Sequence, residues 1–555
     1  MAAALVPAGS QLGARARGTV SWLKLSSTAG LLIGLQAGIA DAATLQSPTG
    51  GPVRALVIGA DDYVAERHLK GAVADASDLA GALRKAGVSD LTVLLDRQAT
   101  RQSVMGALQQ MTANAKPGDL VFISFAGHGA QLPERTPGSN PDGMDEVFVL
   151  PGFESAGPGT AERIIDKELH ALLQRLEQRG VFTLFVADTC HGGGLVRSVD
   201  ERATDISYRQ ASILRIEADE LQPINTPAEA MLDETNFEKL TFLGAVDKNS
   251  KAPEVRISGQ PTLRGALSYA VARAIEGTAP ALIEGGVVNR KRLFEYARQL
   301  VSQYSEQRQV ITAEPLRSAA LIEAPAFRLL AAAPAAGNAL LPWKDVPVRI
   351  RFAGGPREAV ALVTPVTTPF KIVGDREPAE LIWDSRSGDV VSDTGSIIVL
   401  GAPERDLPGI VDRTRALSAL QKLAEARPQT IVLQPNNAVH RNGESVAFEA
   451  DGVRGRFVVV LNISGNGTVQ MLFPRVGEND AFPKGTWRLP LTVSEPFGGD
   501  TVVAFVSEQP SPTLLDALHH LDGKKNPARV VELLEQEIKR APGAKIGMVG
   551  LFTTP

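Results

Sequence analysis

The sequence predicts an α/β fold, with a mainly parallel sheet and flanking helices over residues 50–325 and a mostly β accessory domain over 346–555. Two observations point to the sheet. Short apolar runs alternate with helical patterns, and two of those runs end abruptly in polar, glycine-rich turns. A third observation marks the second region: beyond an Ala/Pro-rich linker at 326–345, Pro and Gly punctuate short β-type runs. At 555 residues the chain also exceeds what one hydrophobic core organises.

Val53–Gly59 (VRALVIG) reads as the first strand, and Val73, Ala76, Leu79, Ala80 and Leu83 follow at helical spacing until Gly87. Leu91–Leu95 is a second strand. Thr100 can cap a helix carrying Val104, Leu108 and Met111 on one face. The continuous runs Asp119–Phe125 and Val181–Ala187 are of the kind buried on both faces. Between them, Asp166 can cap a helix that turns Leu169, Leu172, Leu173 and Leu176 inward. Leu240–Val246 is a further strand, with helices expected near Leu263–Glu276 and Asn289–Glu306. In the second region strands are expected at Val348–Phe352, Ile397–Leu400, Phe457–Asn462, Val469–Phe473 and Val502–Val506, with helices near Thr414–Ala424 and Ala528–Arg540. Asn466-Gly467 is a hairpin signal, because both residues accept positive φ.

The start of the chain reads differently. Arg15, Arg17 and Lys24 precede an apolar run from Leu25 to Ile39 and the small-residue sequence Ala40-Asp41-Ala42-Ala43. That order predicts a signal peptide over 1–42 and hence a periplasmic or secreted mature protein. The run is too short and too interrupted for a stable membrane span. A net charge of −5, from 57 basic and 62 acidic residues, lacks the basic excess of a nucleic-acid binder. No zinc spacing or nucleotide-cradling glycine motif is present, and no cofactor is expected.

Cys190 is the single cysteine, so no intramolecular disulfide forms. A lone cysteine is by default a small buried hydrophobe. Its surroundings argue for more. Asp188-Thr189-Cys190-His191-Gly192-Gly193-Gly194 leaves one buried strand and Ala126-Gly127-His128-Gly129 leaves another, at the strand ends where parallel sheets collect chemistry. Sixty-two residues separate His128 from Cys190, enough for one crossover unit, so both can project at the same sheet edge. A histidine there can take the thiol proton and return it to a leaving amine.

FAGHGAQ around His128 and DTCHGGG around Cys190 resemble the paired motifs of the caspase-like peptidases, particularly the metacaspases and their bacterial relatives. The likeness extends over LVIGADDY (56–63), LKGAVADA (69–76), DGMDEVFVLPGF (142–153), GAVDKNSKAPE (244–254) and RGALSYAVARAIEG (264–277). It implies a caspase/haemoglobinase-type fold, a His128–Cys190 dyad, and the backbone N–H groups of Gly129 and Cys190 as the oxyanion hole. It also implies an acidic pocket for Arg or Lys, built from Asp75 and Asp188, with Asp247 near the cleft. The alternative is that Asp75 pairs locally and Asp188 orients its loop. Ala126 departs from the serine that metacaspases usually carry before this Gly-His-Gly turn. Asp145 and Asp166 match two calcium-ligand positions of calcium-dependent metacaspases, but Lys167 and Arg197 stand where further acidic ligands are expected. Two positive side chains oppose a hard cation and could replace its charge internally.

Arg197, Arg202, Arg209 and Arg215 lie in the charged stretch after Cys190, and each is either a self-cleavage site or a solvated surface charge. Residues 458–491 and 495–510 resemble a domain of uncharacterised function attached to bacterial caspase-like domains. Their apolar alternation suggests a β-sandwich that contacts a protein partner, a surface or the first domain. The resemblance implies a monomer acting on peptide or protein substrates. The rival reading is a catalytically silent caspase-like binding or assembly module.

Overall fold

The computed structural model describes residues 43–555 except 139–141, 191–206, 212–215, 218, 220, 222–236, 247–250, 258, 280–281, 306–308, 316–318, 331–342, 354–367, 376, 436–438, 476–480 and 484–486. The signal peptide expected over 1–42 lies outside the described residues, as does most of the linker expected over 326–345. The linker's first residues are not a connector: Pro325–Leu330 is a strand pairing with Thr44–Gln46 and Val287–Asn289. Phe327 and Leu329 are fully buried there, and that apolar alternation explains the difference.

The first region is organised by six strands: β1 (Val53–Gly59), β2 (Asp90–Leu95), β3 (Leu120–Ala126), β4 (Phe182–Asp188), β5 (Leu240–Gly244) and β6 (Thr312–Glu314). Their spatial order is β6-β5-β4-β3-β1-β2, parallel throughout except for β6. Strand alternation divides the core. Ala55, Val57, Phe122, Leu184 and Val186 face helices α1 (Ala72–Lys85), α4 (Ala266–Ile275) and α5 (Arg290–Tyr304), whereas Leu56, Ile58, Ile123, Phe125 and Phe185 face α2 (Arg101–Asn114) and α3 (Asp166–Gln178). Thr100 caps α2 by accepting from the Ser103 N–H at 3.1 Å. Asp166 is the first residue of α3 rather than its cap; the Glu168 carboxylate instead accepts from the Ile165 N–H at 3.1 Å. Gly59 admits α1 against the end of β1, since a Cβ there would sit 2.6 Å from the Ala72 carbonyl oxygen.

Register sets the site. Ala126 of β3 pairs with Asp188 of β4, so the chains leave the sheet side by side, and His128 and Cys190 each follow two residues later.

The second region is mixed rather than a plain sandwich. Its central strands, Phe457–Ile463, Gly498–Ser507 and Lys545–Thr554, belong to a ten-stranded sheet. One face meets the three-stranded sheet Ile431–Gln434, Ser445–Ala450 and Trp487–Thr492. The other is covered by α6 (Leu407–Ala426), α7 (Pro512–His519) and α8 (Pro527–Arg540). Asn466-Gly467 makes the turn before Val469–Phe473, with Gly467 at φ +84°.

The two regions touch. Gln303 of α5 donates to the Met548 carbonyl at 3.4 Å, and Arg256 pairs with Asp393. Glu425 of α6 is buried beside Tyr269 and Arg273 of α4, and burial pushes its carboxyl up to about 7, against the pull of Arg273 and a Tyr269 hydrogen bond. The unfolded chain loses this proton near pH 4.3, roughly. Between those values the unfolded state binds fewer protons, so stability falls as pH rises. Denaturation at about pH 5 and pH 8 should show the parent losing on the order of 2 kcal/mol more than Glu425→Gln; equal pH slopes would rule out the buried carboxyl as the cause.

Candidate active site

His128 is held at three points. Its N–H donates to the Tyr63 hydroxyl at 2.8 Å, its carbonyl accepts from the Val149 N–H at 2.9 Å, and its ring packs against Tyr63 at 4.6 Å. Gly127 has no side chain because a Cβ there would meet the Tyr63 hydroxyl at 2.5 Å. Nε2 lies 2.7 Å from the Arg67 carbonyl oxygen. A carbonyl only accepts, so Nε2 carries the hydrogen and the buried Nδ1 of the neutral ring keeps its lone pair. Burial lowers the pKa of His128, opposed by the Arg67 carbonyl and the charges of Glu66 and Glu254, and assisted by Arg209. Cys190, two residues beyond β4, is fully buried.

Beside this pair lies a pocket of three buried carboxylates. Asp75 projects from the first turn of α1, Asp188 ends β4, and Glu254 starts the short strand Glu254–Val255. Each is fixed by backbone donors. The Gly265 N–H reaches both Asp75 oxygens at 2.9 and 3.1 Å, the Ser268 N–H reaches Asp188 at 2.8 Å, and the Lys70 and Gly71 N–H groups reach Glu254 at 2.9 and 2.8 Å. Gly265 and Ser268 open α4, so unsatisfied amides and the positive end of the helix dipole face the acids.

The guanidinium of Arg209 fills the pocket. It pairs with Asp75, lies 3.1 Å from an Asp188 carboxylate oxygen and 3.6 Å from Glu254, and donates to the Asp188 carbonyl at 3.1 Å. Burial raises the pKa of Asp75, with Arg209 opposing and Asp188 reinforcing. Arg209 itself is held charged above its ordinary range: burial alone would lower it, but the three carboxylates together outweigh that cost. A Cβ at Gly265 would strike Asp188 and Arg209.

The backbone of Arg209 is equally constrained. Its carbonyl oxygen accepts from the Gly129 N–H at 3.0 Å and the Cys190 N–H at 3.3 Å, and its N–H donates to Ala252 at 3.0 Å. Tyr208 bridges Pro253, Gln210 bridges Gly129, and the Ala211 N–H donates to the Gly129 carbonyl at 2.9 Å. Residues 207–211 thus run past Gly129 and Cys190, with one peptide carbonyl aimed at two convergent amides. Such an arrangement can polarise that carbonyl for attack.

The structure therefore brings together His128, Gly129, Cys190, Asp75 and Asp188. Asp247 lies outside the described residues, as do Arg197, Arg202 and Arg215. Glu254 and Tyr63 were not anticipated, although they end the stretches GAVDKNSKAPE and LVIGADDY; a titratable residue closing such a stretch was the available signal. Lys167 pairs with Asp145 and lies 3.6 Å from Asp166. Its ammonium fills the place between the two carboxylates, so these residues do not fit a divalent cation there.

A family model described as the metacaspase, peptidase C14 domain matches residues 53–198. Metacaspase-1 of Saccharomyces cerevisiae is 34% identical over 152 residues, covering 26% of this chain and 34% of that protein. Metacaspase-1 of Mycosarcoma maydis is 32% identical over 151 residues, covering 26% of this chain and 36% of that protein. The chain thus spans 34–36% of the length of these curated relatives. Among solved structures, the Drosophila initiator caspase Dronc aligns at 11% identity with a TM-score of 0.27, covering 54% of this chain and 92% of that chain.

Asp145 is buried and depends on Lys167 for its counter-charge, with the Arg135 N–H adding one bond at 3.0 Å. Replacing Lys167 by Met should cost about 3–5 kcal/mol, the penalty for stranding a buried charge. Thermal unfolding of Lys167→Met and of the double variant Lys167→Met/Asp145→Leu checks this: the double variant should recover most of the loss.

Proposed function

We propose that this chain, which carries a metacaspase-type peptidase C14 domain over residues 53–198, is a cysteine endopeptidase cutting on the carboxyl side of Arg or Lys. One observation carries the reading. The Arg209 carbonyl rests on the amides of Gly129 and Cys190 while its guanidinium occupies the pocket of Asp75, Asp188 and Glu254, which is how a substrate would lie. The bond from Arg209 to Gln210 is then the chain's own cleavage site, in preference to Arg197, Arg202 or Arg215.

In this reading the Cys190 sulfur bonds to the Arg209 carbonyl carbon as its proton passes to Nδ1 of His128. The carbonyl oxygen gains charge, and the two amides stabilise it. When the carbon–nitrogen bond breaks, His128 returns the proton to the departing Gln210 amine. Water then attacks the thioester, leaving the Arg209 carboxylate and restoring the thiol. A carboxylate pocket with fixed donors recognises the planar guanidinium, and accepts an ammonium less fully. The leader of residues 1–42 supports export to the periplasm or beyond the cell.

Purified protein should convert to two fragments, the downstream one beginning at Gln210 and the upstream one near Ala43, and should hydrolyse a short fluorogenic peptide ending in Arg. Cys190→Ala should abolish both reactions. Hydrolysis that survives in Cys190→Ala, or fragments identical in the two proteins, would refute the assignment. The depressed pKa of His128 keeps it neutral at pH 7. The acidic limb of kcat/KM should accordingly fall below the ordinary histidine value of about 6.5. A limb centred near 8 would contradict His128 as a neutral base.

A further inference from the structure

Ten residues beyond Arg209, the same stretch of chain is gripped a second time. Arg163 Nη2 donates to one oxygen of Asp219 at 2.7 Å, and Arg135 Nε donates to the other at 2.8 Å. Arg135 also reaches past the aspartate to the Leu221 carbonyl at 2.7 Å, while the Leu221 N–H turns back to Asp219 at 3.0 Å. The Leu221 side chain is buried in a cluster with Tyr63, Leu132 and Phe153, and Ala211 belongs to the same cluster. Tyr63 is the residue that holds His128.

The arginines are not incidental surface charges. Arg163 is 1% exposed, on the short strand Arg163–Ile165, and a second nitrogen is bound by the Thr160 carbonyl. A buried guanidinium needs a counter-ion, and among the described residues the carboxylate paired with it is Asp219. Arg135 follows the strand Gly129–Pro133, whose first residue supplies one of the two amides on the Arg209 carbonyl. One small antiparallel sheet, Gly129–Pro133, Met144–Val149 and Arg163–Ile165, thus holds the chain at Ala211 and again at Asp219.

We propose that Arg135 and Arg163 form a docking site for an acidic side chain followed two residues later by leucine. Asp219 and Leu221 occupy it in this chain, and docking there delivers Arg209 to the acidic pocket. The inference rests on the proposed peptidase reading for its consequence but not for its geometry. Asp219 is a positioning residue: it touches no reacting atom, and acts by fixing the register of the segment that does. A short peptide ending in Arg has no residue to place there, so the site serves self-cleavage rather than peptide turnover.

Limited digestion with added trypsin, in the Cys190→Ala background, tests the docking without relying on the protein's own activity. Appearance of the fragment beginning at Gln210, measured by mass spectrometry against a control tryptic site, should accelerate about tenfold in Asp219→Asn. Arg135→Ala, which spares the buried Arg163, should act in the same direction, and Asp219→Glu should return towards the parent rate. With Cys190 present, Asp219→Asn should slow self-cleavage about tenfold more than it slows hydrolysis of a short Arg peptide. Equal tryptic rates in all four proteins would overturn the docking site. If the parent cuts neither itself nor any peptide, the peptidase reading fails instead, and the tryptic comparison still decides the docking.

Discussion

A buried guanidinium enclosed by three carboxylates is the interaction on which the rest of the site depends. Asp75, Asp188 and Glu254 come from a helix, a strand end and a hairpin that are far apart in sequence, and none is exposed to water. Left without a cation, three such groups could not all stay ionised, because burial and mutual repulsion both favour protonation. The amides of Lys70, Gly71, Gly265 and Ser268 offset part of that cost and fix the oxygens in direction. The cation completes the balance. The pocket's preference for Arg or Lys, in the proposed reading, is therefore a consequence of how it is built.

Holding the side chain at one end and the carbonyl at the other determines the register of residues 207–211. The main sheet makes this possible, since Ala126 and Asp188 pair directly and deliver His128 and Cys190 together. The second region lies against the same machinery from behind. Arg256, which pairs with Asp393, is two residues from Glu254, and Glu425 sits against α4, whose first turn holds Asp188. A cleft of about 650 Å³ lined by Arg256, Gln303, Asp393 and Arg413 opens beside these same contacts.

Much of the first region was legible because local pattern and tertiary role coincide there. Ala55–Gly59 and Leu184–Ala187 are continuously apolar because the sheet is covered on both faces, and the turn before His128 is recognisable because the close approach of Tyr63 demands glycine at position 127. Glu254 was not legible. Its role arises from meeting Gly71, 183 residues away, and its place at the end of GAVDKNSKAPE was the one local sign setting it apart from a surface glutamate. In the second region the helix Pro512–His519 was hidden by its own proline, which reads as a breaker yet is tolerated in the first turn. Helices near Thr414–Ala424 and Ala528–Arg540 were expected, but without the third their joint cover of one sheet face was not evident and the central strands read as one half of a sandwich.

The pocket alone leaves one question of selectivity. Arg197, Arg202, Arg209 and Arg215 all present the same guanidinium, and a charge pocket reads little beyond it. Discrimination needs a contact that depends on position along the chain. The pair of arginines at 135 and 163 provides one, because an acidic residue ten positions after the arginine is a property of Arg209 and its distance to Asp219. For Arg202 the same offsets fall on Ser212 and Leu214, which supply the leucine but no carboxylate for the two arginines. For Arg215 they fall on Asn225 and Pro227, which supply neither. The apolar cluster that takes Leu221 would then be left without its leucine, forfeiting most of the burial that such a side chain contributes, about 1.5–3 kcal/mol. Two weak requirements, one electrostatic and one apolar, set a register that neither could set alone.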